Sequence, residues 1–224
     1  SNTDGTITST VQANTTAGFS IITYTGTGSA GTIGHGLGVT PDIIIFKRRD
    51  GTNNWDFQFK GEARLTLNLL DAQATNVLCT FTSTTTDLGS TATAEKNANT
   101  GTYVAYAFAE KQGYSKFGKY TGAGSSSPFV YTGFKPALVI SKRTDSTNDW
   151  GIVDNKRGYN GGTETLFADL TNAESSTYTV DLLSNGFRPL SNHSIFNQNG
   201  GTYIYMAFAE NPFVTSTGIP TTAR

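Results

Sequence analysis

Cysteine occurs once among the 224 residues, at Cys79. An internal disulfide and a cysteine-based zinc site are therefore excluded. Its surroundings, Val77-Leu78-Cys79-Thr80-Phe81, read as a strand in which Cys79 is a small buried hydrophobe. Histidine is almost as scarce. His35 and His193 are the only two, neither stands in a metal-ligand spacing, and no metal or cofactor is expected. Charge is sparse and balanced, with 16 basic and 17 acidic residues and a net charge of −1. Such a surface has no general pull on nucleic acid or on anionic lipid. No apolar run approaches the roughly eighteen residues of a membrane helix, so membrane insertion is not expected. Residues 1–16 are polar and Thr-rich, without the basic start and apolar core of a signal peptide. They read as a linker from an upstream region, and the chain as the end of a longer protein.

What the chain has instead is 25 glycines, 14 phenylalanines, 10 tyrosines and a great deal of Thr, Ser and Asn. Thr and aromatics suit pleated, half-buried surfaces, and Gly and Asn suit tight turns. The composition is that of an all-β protein.

The order of these residues repeats. Pro41, Asp42–Arg49, a polar tip at 50–54 and Trp55 form one phrase. Pro136, Leu138–Arg143, a tip at 145–149 and Trp150 form the second. The paired prolines, Lys47 and Lys142, and the two tryptophans all stand 95 residues apart (136 − 41 for the prolines). Before each phrase lies a strand ending in glycines, Phe19–Tyr24 with Gly26 and Gly28, and Tyr114–Tyr120 with Gly122 and Gly124. Each copy closes on a strand of the same kind, Thr102–Glu110 and Thr202–Glu210. With turn signals about every ten residues, the expectation is two tandem, jelly-roll-like β-sandwich units from an internal duplication. Residues 1–17 would be linker, 18–111 the first unit, 112–213 the second and 214–224 a tail. The polar stretch 82–100 reads as a long surface excursion, with a short helical turn at 92–97.

Chemistry is harder to find. Gly26-Thr27-Gly28-Ser29-Ala30-Gly31 matches a dinucleotide fingerprint in spelling, but Thr32-Ile33-Gly34-His35-Gly36 cannot open the helix that the fingerprint requires. It reads as a turn. There is no nucleophile elbow, and His35 reads as a turn residue whose ring bonds a backbone group. Asp42, Asp50, Asp56 and Glu62 could supply a glycosidase carboxylate pair, but exposed acids at strand ends are usually solvated. No catalytic residue is assigned and the chain is not expected to be an enzyme. Lys47-Arg48-Arg49 and Lys142-Arg143 read as partners in local ion pairs. Glu110 and Glu210, ending apolar strands, are expected to meet Lys47 or Arg48, and Lys142 or Arg143. Trp55 and Trp150 are either sugar-stacking rings or core anchors, and burial statistics favour the anchor. The ligand-binding candidates are Trp55, Trp150, Asp50, Asp145, Tyr159 and Asn160. They combine aromatic faces with the adaptable polar groups that suit a glycan.

Four blocks carry a resemblance: Gly18–Gly28, His35-Gly36-Leu37-Gly38-Val39-Thr40-Pro41, Ala107-Phe108-Ala109-Glu110 and Gly113–Gly118. In this order they resemble repeat modules of large bacteriophage virion proteins, many from phages of marine cyanobacteria, of the tail-fibre or structural kind. The resemblance implies a virion component on a phage tail or capsid surface, in contact with other virion proteins and with host-surface glycan. It also makes a homotrimer the favoured assembly. A capsid decoration or structural spacer is the alternative reading, and a polysaccharide-degrading tailspike a second. The second copy lacks the histidine of the His35 block, so the resemblance assigns that residue no shared role.

Overall fold

The computed structural model describes every residue except 76–78, 90–93, 159–163, 191 and 212–224. The chain is all-β, and its only helical piece among the described residues is one 3-10 turn, Gly124–Ser126. It divides into two units, Ser1–Leu67 with Gln73–Glu110, and Asn68–Ala72 with Lys111–Arg224.

Unit 1 contains β1 (Ser9–Asn14), β2 (Phe19–Thr25), β3 (Thr32–Gly34), β4 (Ile43–Arg48), β5 (Asp56–Phe59), β6 (Leu65–Thr66), β7 (Thr85–Asp87) and β8 (Thr102–Phe108). Six of them form an antiparallel sheet in the order β1-β2-β8-β4-β5-β6, and β3 pairs with β7 in a separate ribbon. Unit 2 contains β9 (Ser115–Thr121), β10 (Val130–Tyr131), β11 (Pro136–Arg143), β12 (Trp150–Asp154), β13 (Leu166–Phe167), β14 (Val180–Leu183), β15 (Gly186–Pro189) and β16 (Thr202–Ala209). Here the order is β13-β12-β11-β16-β9, with β10-β15-β14 as the second sheet. Read from β2 and from β9, the large sheets have the same order. A jelly roll divides its strands evenly between layers. In these units one layer is clearly the smaller.

Strand alternation decides the cores. In unit 1, Ile22 and Tyr24 of β2, Ile44 and Phe46 of β4, and Tyr103, Ala105 and Ala107 of β8 point to one face and meet Ile7, Ile33 and Leu88. In unit 2, Val139, Val153, Tyr205 and Ala207 meet Val130, Val180, Leu182 and Phe187 in the same way. The alanines late in β8 and β16 leave room for the facing layer.

Two expectations are overturned. Residues 1–17 are not a linker. β1 pairs with β2 from Ser9↔Tyr24 to Asn14↔Phe19, and Ile7 is buried in the core. The polar look of this segment reflects an edge strand with one face in solvent. Nor is 82–100 a surface excursion. β7 closes the core, and Thr86, Leu88, Lys96 and Asn97 are buried. Residues 94–96 make a turn rather than a helix, and 90–93 lie outside the described residues.

Asn97 shows why such residues can be buried. Its Oδ1 accepts from Thr27 N–H at 2.9 Å and its Nδ2 donates to Ser29 O at 2.6 Å, which clamps the glycine turn to the loop before β8. Asn197 does the same in unit 2, with Ala123 N–H and Gly124 O. A Cβ at Gly26 would stand 2.3 Å from Ala98 O, and one at Gly122 would stand 2.2 Å from Gln198 O. The first residue of each glycine turn is thus fixed by close backbone approach, as a turn rather than a phosphate cradle requires.

Candidate functional site

The hairpin tips place four of the six candidate residues. Lys47 Nζ donates to Asn53 O, and Lys142 Nζ donates to Asn148 O at 2.5 Å and to Leu70 O at 3.1 Å. The next residue closes each tip with an ion pair, Arg48 Nε to Asp50 Oδ1 and Arg143 Nε to Asp145 Oδ1, both 2.8 Å. The hydrogen bond from each arginine holds its aspartate below the usual carboxylate range. Asp50 and Asp145 are therefore turn-closing groups, and the local ion pairs expected of the basic residues are made by Arg48 and Arg143, while Lys47 and Lys142 bond loop carbonyls instead.

The tryptophans part company. Trp150 is 1% exposed and cannot stack on a ligand, so its place among the binding candidates is withdrawn. Trp55 is half-buried, stacks on Tyr106 with centroids 6.4 Å apart, and has Lys47 Nζ 5.9 Å above its ring. Tyr159 and Asn160 lie outside the described residues. The six candidates are not brought together as one site.

Lys142 and Arg143 also do not serve the strand-ending Glu210, and the bonds just given turn Lys47 and Arg48 toward their own tip. Glu210 pairs with Lys156 at 2.6 Å and accepts from Asn155 Nδ2 at 3.0 Å, at an exposed position. Glu110 gives its backbone N–H to Asp42 Oδ2 at 2.8 Å. The lysines face their own tips because the loop carbonyls there need donors. His35 behaves as read. It is fully buried, its Nδ1 accepts from Leu37 N–H at 3.2 Å, and its Nε2 donates to Thr82 O at 3.3 Å. Burial lowers its pKa. Of the acids raised as a carboxylate pair, three are likewise engaged, and Asp56 is buried rather than solvated at a strand end. Asp42 and Asp50 hold the partners just given, and Glu62 accepts from Gln73 Nε2 at 3.1 Å.

A surface site that sequence reasoning missed lies beside the first tip. A shallow groove of about 320 Å3 runs over the ends of β1, β2 and β8, lined by Thr8, Thr10, Thr23, Thr25, Thr102 and Arg49. Antiparallel register makes this row, with Thr10 opposite Thr23 and Thr25 opposite Thr102. Arg49 is anchored by its backbone N–H to Thr102 O at 2.8 Å, while the residue is exposed. The threonines offer both donors and acceptors, and the guanidinium adds a fork of donors. Period-two threonines at strand ends were the available signal, but only pairing shows that they share one face.

Unit 1 also holds a buried polar group of side chains, Asp56, Gln58, Cys79 and Lys96, each less than one-tenth exposed. Cys79 is thus buried as expected, but Lys96 Nζ donates to its Sγ at 3.2 Å. No group of three or more His, Cys, Asp or Glu residues among the described residues is arranged to hold a metal ion. No helix among them is long and apolar enough to cross a membrane.

No curated protein and no solved structure matches this chain. A family model does match, and it runs through both units, over residues 1–212. The chain belongs to the family described as a domain of unknown function, DUF7483.

Proposed function

We propose that this chain is a non-enzymatic structural module of a phage virion, of the tail-fibre kind, which attaches to host-surface glycan as a homotrimer. The virion context rests on the ordered resemblance of the four sequence blocks. The attachment reading rests on one observation, the threonine-lined groove with Arg49 at its end. Sugars present closely spaced hydroxyls, and a row of side-chain hydroxyls with one guanidinium matches that pattern of donors and acceptors. The half-exposed Trp55 ring stands on the same unit and adds an apolar surface for a sugar's C–H face. The candidate acids favour a binding role over hydrolysis, because Asp50 and Asp145 are bonded by arginines to close their tips.

Glycan-array binding by the purified chain tests attachment. Binding that falls at least tenfold in Thr23→Val/Thr102→Val and in Arg49→Ala, with the fold intact, is the expected result, about 1.4 kcal/mol at that threshold. A folded chain that binds no glycan ends the attachment reading. Immunogold labelling of particles then separates a tail position from a capsid decoration, and release of reducing ends from host polysaccharide would replace the reading with a tailspike.

A further inference from the structure

The polar group in the core of unit 1 is not something the fold needs. Asp56 stands at the start of β5, opposite Phe46, and Lys96 stands just before Asn97 of the loop clamp. The corresponding places in unit 2 are Gly151 of β12, opposite Ser141 of β11, and Phe196, just before Asn197. The backbones there are engaged alike, since Tyr24 Oη donates to Lys96 O and Tyr120 Oη donates to Phe196 O. In unit 2 the space is filled by hydrocarbon, and a Cβ at Gly151 would stand 2.4 Å from the Phe196 ring. Unit 1 puts a carboxyl and an amine in that space together.

Their surroundings are those of reactants. The side chains of Asp56 and Lys96 are 0% and 1% exposed, and Lys96 Nζ lies 4.0 Å from Asp56 Oδ2. Oδ2 has no hydrogen-bond partner. The other carboxyl oxygen, Oδ1, accepts from Gln58 Nε2 at 2.5 Å. Arg64 Nη1 approaches Oδ2, also at 4.0 Å. The Phe46 ring is 6.0 Å from the ammonium. Burial in such a place disfavours the charged form of the carboxyl. In keeping with this, burial raises the Asp56 pKa against the opposing pull of Lys96, Gln58 and Arg64.

We propose that Lys96 and Asp56 condense to an intramolecular amide that ties the loop before β8 to strand β5. Lys96 Nζ bonds to Asp56 Cγ, and the Cγ–Oδ2 bond breaks. Oδ2 leaves as water with the two protons that the ammonium gives up. Ammonium and carboxylate become amide and water, so atoms and charge balance with no outside reagent. Gln58 polarises the carbonyl through Oδ1, and Arg64 steadies charge on the departing oxygen. Lys96 Nζ, 4.0 Å from the oxygen bonded to Cγ, must close on Cγ itself to the near-attack range of about 3–3.5 Å, which rotations of its four-carbon stem allow. A product without charge removes the desolvation cost of the buried pair, and a fibre module gains a staple across its sheet.

The experiment is intact-mass measurement of the purified, folded chain, followed by tryptic mapping. The expected mass is lighter than the sequence by one water, with a branched peptide joining Asp56 to Lys96 and no cleavage after Lys96. Asp56→Ala restores the full mass calculated for that variant. Cys79→Ser keeps the loss of water. A folded chain of unchanged mass means an ordinary buried ion pair and overturns the proposal. A mass raised by one oxygen and lowered by two hydrogens, abolished in Cys79→Ser, means a lysine–cysteine bridge through oxygen and overturns it equally. The reading of the mass is independent of the glycan groove, so failure of either idea leaves the other standing.

Discussion

Single residues carry two sharp expectations. His35 is held neutral, because protonation would convert Nδ1 from the acceptor of Leu37 N–H into a donor facing a donor. Burial lowers its folded pKa below the unfolded value. Its stabilising contribution is therefore full above pH about 6.5 and is lost as pH falls through and below that value. Urea midpoints compared at about pH 7.5 and about pH 5.5 should drop for the native chain and drop less for His35→Gln. Equal drops in both would remove His35 as the cause. Gly151 is the second case. Its missing side chain is the room occupied by Phe196, so Gly151→Ala should cost about 1–3 kcal/mol through overpacking. Thermal unfolding of Gly151→Ala beside Gly151→Ala/Phe196→Leu checks this, because the smaller ring-free partner should return part of the loss.

Lys142 shows a charge effect in the other unit. It is fully buried, and burial pushes its pKa down to about 8 against the pull of Asp169, Asp149 and Asp71. The unfolded chain keeps its proton to pH about 10.4, so stability should rise between pH about 8 and about 10.4, by up to about 3 kcal/mol. Lys142→Met should flatten that rise in denaturant titrations. A flat profile in the native chain would show that the two loop carbonyls bonded to Nζ offset the burial cost.

At the scale of elements, the loop clamp is the feature that both units hold in common. Asn97 and Asn197 each satisfy one N–H and one carbonyl of a glycine turn. Each is fully buried, so truncation leaves polar groups without partners. Asn97→Ala and Asn197→Ala should each destabilise by about 2–3 kcal/mol in urea unfolding, and a loss under about 0.5 kcal/mol in either would show that water replaces the side chain. What the sequence made legible has this same local character. Period-two apolar residues located β2, β4, β8, β11 and β16, and glycine, asparagine and aspartate marked the tips. The sequence did not reveal which polar residues go inside. Asp56 and Gln58 share one face of a four-residue strand, and Lys96 aligns with Phe196 when the loop clamps are matched. Burial of such groups depends on partners brought from far along the chain, as Lys96 is to Asp56 and Cys79 is to Lys96. The first strand was missed for the related reason that β1 is polar on its open face. The threonine groove needed the register of three strands before it could be seen.

For the whole molecule, the strongest consequence follows from the face of the unit 1 sheet that points away from the Ile22–Phe46–Tyr103 core. Phe19, Ile21, Ile45, Tyr106 and Phe108 alternate onto that face, with Phe19 against Phe108 at 4.9 Å. Ile21 is 38% exposed, an uncommon place for a β-branched hydrocarbon at the centre of a strand. A sheet with apolar residues on both faces is built to be covered on both. Under the fibre reading the cover is another copy of the chain, and closed rotational symmetry keeps such contacts from propagating. The groove lies at the Thr25–Thr102 end of this same face, so packing at its Phe19–Phe108 end leaves three open grooves on three copies. Weak sites that engage together gain roughly 10²–10⁴ in avidity over one alone. Ile21→Lys should therefore turn a trimer into a monomer in light scattering. It should also leave binding of a single soluble glycan unchanged while abolishing retention on a glycan-coated surface. A native chain that stays monomeric at high concentration would sink the trimer. A monomeric variant that is retained as well as the native chain would sink the link between assembly and attachment.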